Sequence, residues 1–316
     1  MKLGIVGSGM IVKDFLSFVE EIKSIELVAI IGREKSLENL EKLKEENGIK
    51  KIYTDYSEAL KDGDIDTIYV GLPNNLHYEY SKKALSAGKN VICEKPFTHN
   101  LESAKEIIDL AKDKSLFLFE AITNQYLPNY KIVRDNLESL GNIRAIQCNF
   151  SQYSSRYDDF LNGKIAPVFN RENAGGALMD LNVYNIYFIV GLFGRPLDVF
   201  YYPNINRDID TSGLIVLTYD GFVASCFGAK DSKSESFAMI QGEKGYMKVE
   251  GPSSMCTKLY IDNQSKSYLD QGKHRMYYEF VEMEKIMGIK DYASCYKLLD
   301  NAEIVMEILD KCNNGI

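Results

Sequence analysis

The first part of the chain is a succession of short apolar runs without polar alternation, separated by stretches with helical spacing. The runs are residues 2–7, 26–32, 66–72, 90–94 and 116–121, and unbroken apolarity of this length marks parallel strands covered on both faces. Between the last two, Leu101, Ala104, Ile108 and Ala111 share one helical face, and Asn100 stands where an N-cap belongs. This strand–helix alternation predicts βαβ units and a doubly wound parallel sheet over residues 1–121.

After residue 121 the pattern changes. Residues 142–153, 213–220, 222–230, 237–241 and 246–250 read as strands, with turn signals at Asp220-Gly221 and at Gly242 to Gly245. One helix is expected over 176–194, and two more, over about 275–287 and 291–312, close the chain. The pattern predicts an α+β domain over residues 122–316, built on an open, mainly antiparallel sheet. Residues 214–219 are apolar on both faces, so both faces should be covered. Helices of the domain can cover one face. A second copy of the chain is the economical cover for the other, which predicts a homodimer or higher homo-oligomer; a monomer with a loop as cover is the alternative.

Composition narrows the classes. A chain of 316 residues, 45% hydrophobic and 26% charged, has room for two ordinary globular domains. Its net charge of -8 argues against a nucleic-acid partner, which needs clustered cations. No run approaches the roughly 18 consecutive apolar residues of a membrane span, and no export signal is recognised, so neither a membrane nor secretion is expected. The six cysteines lack Cys-x-x-Cys spacing, which predicts reduced, separate thiols and a cytoplasmic location. The three histidines show no metal-binding spacing, so no catalytic metal is expected.

The first strand runs into Gly7-Ser8-Gly9-Met10-Ile11-Val12. Two glycines so placed let the backbone turn tightly and approach a pyrophosphate at a helix N-terminus, which is the Rossmann use of such a loop. Val12 stands where the fingerprint has its third glycine, a departure that bears on helix–strand packing. At the end of the second strand an Asp or Glu would bind a ribose 2′-hydroxyl. This chain has Gly32-Arg33-Glu34-Lys35 there, and an Arg can pair with a 2′-phosphate. NADP is therefore favoured, with NAD the alternative.

Cys93-Glu94-Lys95-Pro96 ends a strand and places Lys95 at the carboxyl edge, where ligands of such sheets bind. Together with Leu72-Pro73-Asn74-Asn75-Leu76-His77, Ala87-Gly88-Lys89-Asn90-Val91 and Gly175-Gly176-Ala177-Leu178-Met179-Asp180-Leu181-Asn182-Val183-Tyr184, it resembles the Gfo/Idh/MocA oxidoreductases. The resemblance covers essentially the whole chain. It implies that Lys95, Asp180 and Tyr184 are catalytic. It also implies that Gly7, Ser8, Gly9, Met10, Ile11, Gly32, Arg33, Leu72, Pro73, Asn74, His77, Glu94 and Lys95 border the cofactor. Tyr184 stands where many members have His, and the resemblance is there to NADP-using branches of the family, which have Tyr at this position. Gln125-Tyr126 stands where members often have Arg-Phe, in a segment that the resemblance places near the nicotinamide.

The implied reaction moves a hydride between the nicotinamide and a carbonyl or hydroxyl carbon of a small sugar, polyol or diol. Lys95 and Tyr184 come from different domains, so the reaction is expected in the cleft between them. A phenol titrates near pH 10, so Tyr184 needs the Lys95 ammonium to act as an acid at neutral pH. On an α-helix, Asp180 and Tyr184 would share a face at i, i+4. Tyr78 and Lys82 match the Tyr-x-x-x-Lys spacing of short-chain dehydrogenases but fall too early in the chain. Two alternatives remain: a non-catalytic NADP-sensing regulator of the same fold, and a glycosidase that uses a bound nicotinamide transiently.

Overall fold

A computed structural model describes residues 1–268 and 271–313, which divide into two units. The first comprises Met1–Ala121 with Glu279–Glu303, the second Ile122–Tyr278 with Ile304–Ile316.

The first unit holds β1 (Lys2–Val6), β2 (Glu26–Ile31), β3 (Lys51–Tyr53), β4 (Thr67–Val70), β5 (Asn90–Glu94) and β6 (Leu118–Ala121). Its helices are α1 (Met10–Leu16), α2 (Leu37–Asn47), α3 (Tyr56–Lys61), α4 (His77–Ser86) and α5 (Leu101–Asp113). The strands pair in parallel in the order β3-β2-β1-β4-β5-β6. This is the doubly wound dinucleotide-binding order, with its switch point between β1 and β4. The five expected runs are there, and buried on both faces. Strand β3 was not foreseen: it is an edge strand of three half-buried residues inside a charge-dense stretch, so it needs no apolar run. Asn100 caps α5 as expected, its side chain accepting the Ser103 N–H at 2.8 Å.

The second unit holds α6 (Pro128–Asn136), α7 (Tyr157–Leu161) and α8 (Val183–Phe193). Its strands are β7 (Ile143–Ser151), β8 (Asp198–Asn206), β9 (Ile209–Tyr219), β10 (Phe222–Ala229), β11 (Phe237–Gly242), β12 (Gly245–Glu250), β13 (Lys258–Ile261) and β14 (Lys266–Tyr268). They form one sheet in the order β14-β13-β12-β11-β7-β10-β9-β8, antiparallel except where β7 meets β10. Strands β8, β13 and β14 were not expected. β8 is an edge strand that carries Pro203, and the other two are short. Ile215, Leu217, Ala224, Cys226, Ile146 and Cys148 are buried. Across the pleat, Leu214 and Val216 are only half-buried, while Phe200 and Tyr202 of β8 are 47% and 61% exposed. Among the described residues, the chain covers one face of this strand pair and leaves the other open.

The expected helix over 176–194 is two segments. Leu178–Asn182 is a π-helical turn, in which the Val183 N–H reaches back five residues to the Leu178 carbonyl, and α8 follows. Asp180 lies in the wide turn and Tyr184 in the regular helix, so the simple i, i+4 alignment on an α-helix does not hold. A stretch containing this helix, Arg171–Phe193, is long and apolar enough by composition to cross a membrane, but it is mostly buried inside the protein.

Two C-terminal helices follow, α9 (Arg275–Gly288) and α10 (Tyr292–Asn313), and residues 279–303 belong to the first unit, not to the second as expected. Aromatic packing explains this. Phe280 sits against Phe15, Tyr69 and Phe18 with centroids at 4.5, 5.4 and 6.3 Å, and Tyr292 stacks on Phe117 at 4.3 Å.

Candidate active site

Gly7, at the end of β1, has φ +114, and a side chain there would place its Cβ 3.1 Å from the Gly71 carbonyl carbon and nearer still to its oxygen. Only glycine fits. At Gly9, the cap of α1, an added Cβ would meet nothing within 4 Å, so the backbone faces open space. This is the cradle a pyrophosphate requires, and the first N–H groups of α1 border it. Val12 is buried against Gly71, where a Cβ would lie 2.6 Å from Val12 Cγ2. The close helix–strand approach that the fingerprint assigns to a third glycine is thus provided by a glycine after β4.

Ser8 continues the loop, Met10 and Ile11 open α1, and the Asn39 amide ties α2 to the loop by donating to the Ser8 carbonyl at 3.4 Å. Gly32 and the exposed Arg33 follow β2, Leu72, Pro73 and Asn74 follow β4, and Glu94 ends β5 with Lys95 directly after it. Because these strands are parallel, the structure gathers all of them at one edge of the sheet. The residues fit a dinucleotide.

His77 links two of these loops. It is fully buried, with Nδ1 at 2.8 Å from the Pro96 carbonyl and Nε2 at 2.8 Å from the Leu72 carbonyl. Burial pushes its pKa down, although both carbonyls favour the protonated ring. Glu94 points into the unit and accepts the Tyr69 hydroxyl at 2.7 Å, whereas Lys95 is only half-buried. Tyr78 and Lys82 both contact Glu106 at the surface of α4 and α5. His99 is exposed beside the Tyr78 ring.

In the second unit, the glycine pair before Asp180 is set by close contacts. A Cβ on Gly175 would lie 2.8 Å from the Pro167 carbonyl oxygen, and one on Gly176 would stand 3.0 Å from Asp210 Cγ. The Asp210 carboxylate accepts the Leu178 N–H at 2.6 Å and the Tyr201 hydroxyl at 2.8 Å, fixing the first residue of the π-helical turn. Burial raises the Asp210 pKa to about 6, against the lowering effect of those hydrogen bonds. Asp180 accepts the Lys230 ammonium at 2.7 Å, and Lys230 also donates to the Val168 carbonyl at 3.0 Å. Tyr184 is 7% exposed, its ring 6.0 Å from that of Phe150, and its carbonyl accepts the Asn124 amide at 2.8 Å. Gln125 and Tyr126 are both buried.

Lys230 and Asp210 were not singled out from sequence. A trace of each is there: Lys230 closes an otherwise apolar strand, and Asp210 begins a polar Asp-Thr-Ser run that opens a strand core.

The family described as an oxidoreductase family with an NAD-binding Rossmann fold matches residues 1–121, and the GFO/IDH/MocA C-terminal domain matches residues 133–248. The scyllo-inositol 2-dehydrogenase (NADP(+)) IolU of Bacillus subtilis (strain 168) is 34% identical over 253 residues, 79% of this chain and 76% of that protein. The chain belongs to the Gfo/Idh/MocA oxidoreductase family. It is thus an oxidoreductase with a nicotinamide-nucleotide-binding first domain. Another relative, the trans-1,2-dihydrobenzene-1,2-diol dehydrogenase of Sus scrofa, is 26% identical over 277 residues, 85% of this chain and 79% of that one. Among solved structures, a levoglucosan dehydrogenase in complex with NADH and levoglucosan shares the fold at TM-score 0.82 and 18% identity, covering 98% of this chain and 97% of that one. A 3-ketoreductase from Actinomadura kijaniata in complex with NADP and TDP-benzene does so at TM-score 0.82 and 21% identity, covering 100% and 97%.

Proposed function

We propose that this family member is an NADP-dependent dehydrogenase or reductase of a small, neutral sugar, polyol or diol. The observation that carries the reading is the sheet edge of the first unit, where the half-buried Lys95 shares the carboxyl ends of the strands with the open glycine loop and the exposed Arg33. The NADP(+) in the name of the Bacillus subtilis relative supports the cofactor preference, and the names of that relative and of the diol dehydrogenase support the substrate class.

A nicotinamide nucleotide held by the glycine loop, Arg33 and the loops after β4 and β5 would supply hydride chemistry at the substrate carbon. Lys95 holds the substrate oxygen and stabilises the charge that develops on it. Tyr184 gives that oxygen its proton in the reductive direction and takes it in the oxidative one. Asp180 accepts a hydrogen bond from a neighbouring substrate hydroxyl. The open face at β8 and β9 meets its counterpart in a second copy, making a homo-oligomer. All six cysteines are buried free thiols, in keeping with a reducing, cytoplasmic setting.

The test is a turnover screen of sugars, polyols, diols and their ketones with NADP(H) and NAD(H). Oxidation of a neutral polyol or diol with NADP+ is the expected result. Turnover with NAD+ alone overturns the cofactor preference, and no redox turnover with any of them overturns the enzymatic reading.

A further inference from the structure

Lys230 follows directly on β10, and its backbone is fixed from two sides. Its N–H donates to the Thr211 carbonyl at 2.8 Å, and its carbonyl accepts the Ser154 N–H at 2.9 Å. From that anchor the side chain runs inward, with its ammonium 4.8 Å from the centre of the Phe169 ring. It ends between two acceptors, the Val168 carbonyl at 3.0 Å and Asp180 Oδ2 at 2.7 Å. The same Val168 carbonyl accepts the Gly176 N–H at 3.0 Å, so the cation, the glycine pair and the π-helical turn share one hub.

The pair is unequal. The Lys230 side chain is 3% exposed and that of Asp180 31% exposed. An ion pair at the surface contributes little, and a buried one rarely outperforms apolar packing of the same size. A buried cation joined to a half-open carboxylate therefore makes poor sense as a stability device. It makes good sense as a means of presenting an anion. The ammonium cannot leave without being stranded in the interior, and one carboxylate oxygen is bound to it. The carboxylate is thereby held charged, in one rotamer, on a turn whose own backbone is pinned by Asp210 through the Leu178 N–H.

We propose that Lys230 is a positioning residue that holds the Asp180 carboxylate anionic and aimed at a substrate hydroxyl. Asp180 then acts as a fixed acceptor, and the proton of the chemical step travels elsewhere. This rests on the reading above that Asp180 serves the substrate.

The experiment compares wild type, Asp180→Asn, Lys230→Met, Lys230→Arg and the double variant Lys230→Met/Asp180→Asn in the oxidation of scyllo-inositol by NADP+, with an NADPH titration of each. Lys230→Met should lose about 10- to 100-fold in kcat/KM, as when outer partners that orient a functional group are removed, with NADPH affinity unchanged. Lys230→Arg should recover most of the loss, and the double variant should match Asp180→Asn. Wild-type kcat/KM in Lys230→Met while Asp180→Asn is impaired overturns this inference alone, as do losses that multiply in the double variant. Full activity in Asp180→Asn overturns the role of Asp180 and this inference with it. A crystal structure of Lys230→Met, or of Lys230→Gln where the first does not fold, gives a readout independent of any substrate. The Asp180 carboxylate should have left its wild-type rotamer, and an unmoved carboxylate overturns the inference.

Discussion

The carboxylate of Asp210 fills the space where a side chain on Gly176 would begin. Gly176 also has φ +102, a conformation that L side chains rarely adopt. Gly176→Ala therefore meets strain and a clash together, and should destabilise the protein by at least the roughly 1–3 kcal/mol of a strained backbone. Chemical denaturation monitored by circular dichroism would read it. A wild-type midpoint would mean that Asp210 can withdraw at no cost, against the tight anchoring described here.

Asp210 also gives a pH dependence of known sign. Its folded-state pKa, raised by burial from 3.8 to about 6, means that the folded state binds a proton more tightly than the unfolded chain. The contribution is fully present below the unfolded value and is lost as pH rises through the folded one. The unfolding free energy of wild type minus that of Asp210→Asn should thus fall by on the order of 3 kcal/mol from about pH 4 to about pH 7. Denaturant melts across this range would test it, and a pH-independent difference would contradict it.

Arg33 follows β2 and is exposed, and it is the residue proposed above to favour NADP. Arg33→Ala should weaken NADPH binding by about 1.5–3 kcal/mol and leave NADH binding nearly unchanged. Calorimetric titration showing equal loss for both cofactors would remove Arg33 as the discriminator.

Tyr184→Phe removes one hydroxyl and keeps the ring that packs near Phe150. Turnover should drop by about 10²- to 10⁴-fold while NADPH affinity and melting temperature stay close to wild type. Lys95→Met should lose as much or more, and the two together little more than the worse one, because groups acting as a unit are not additive. Near-full activity in Tyr184→Phe would leave that residue a packing aromatic.

Phe200 and Tyr202 project from β8 onto the open face of the sheet, beside Val216 and Leu214 of β9. Wild type should scatter light as a dimer or larger at micromolar concentration, and Phe200→Glu/Tyr202→Lys should shift it toward the monomer. A monomeric wild type would show that the apolar face has another use.

Legibility in the sequence followed burial. The strands β1, β2, β4, β5 and β6 declare themselves by unbroken apolar runs, because both of their faces are covered. The edge strands β3, β8 and β14 have no such obligation, and the chain gives little local sign of them. The glycine loop, Lys95, Asp180 and Tyr184 are found by motif, since they sit at fixed offsets within one segment each. Lys230 and Asp210 are not, because their meaning comes from partners 50 and 32 residues away in the chain. Periodicity also missed the widened turn around Asp180, where a single extra residue per turn leaves the apolar pattern almost intact.

The contact between Val12 and Gly71 puts the seat of α1 under the control of a residue that has no side chain. Any side chain at position 71 would lift the helix that begins with Met10 away from the sheet and carry its first amides out of line. Restoring a glycine at position 12 would give the helix room to settle back. Homologues could therefore trade bulk between these two positions while keeping the same grip on the cofactor, and a search that insists on glycine at the third place of the loop would pass over them.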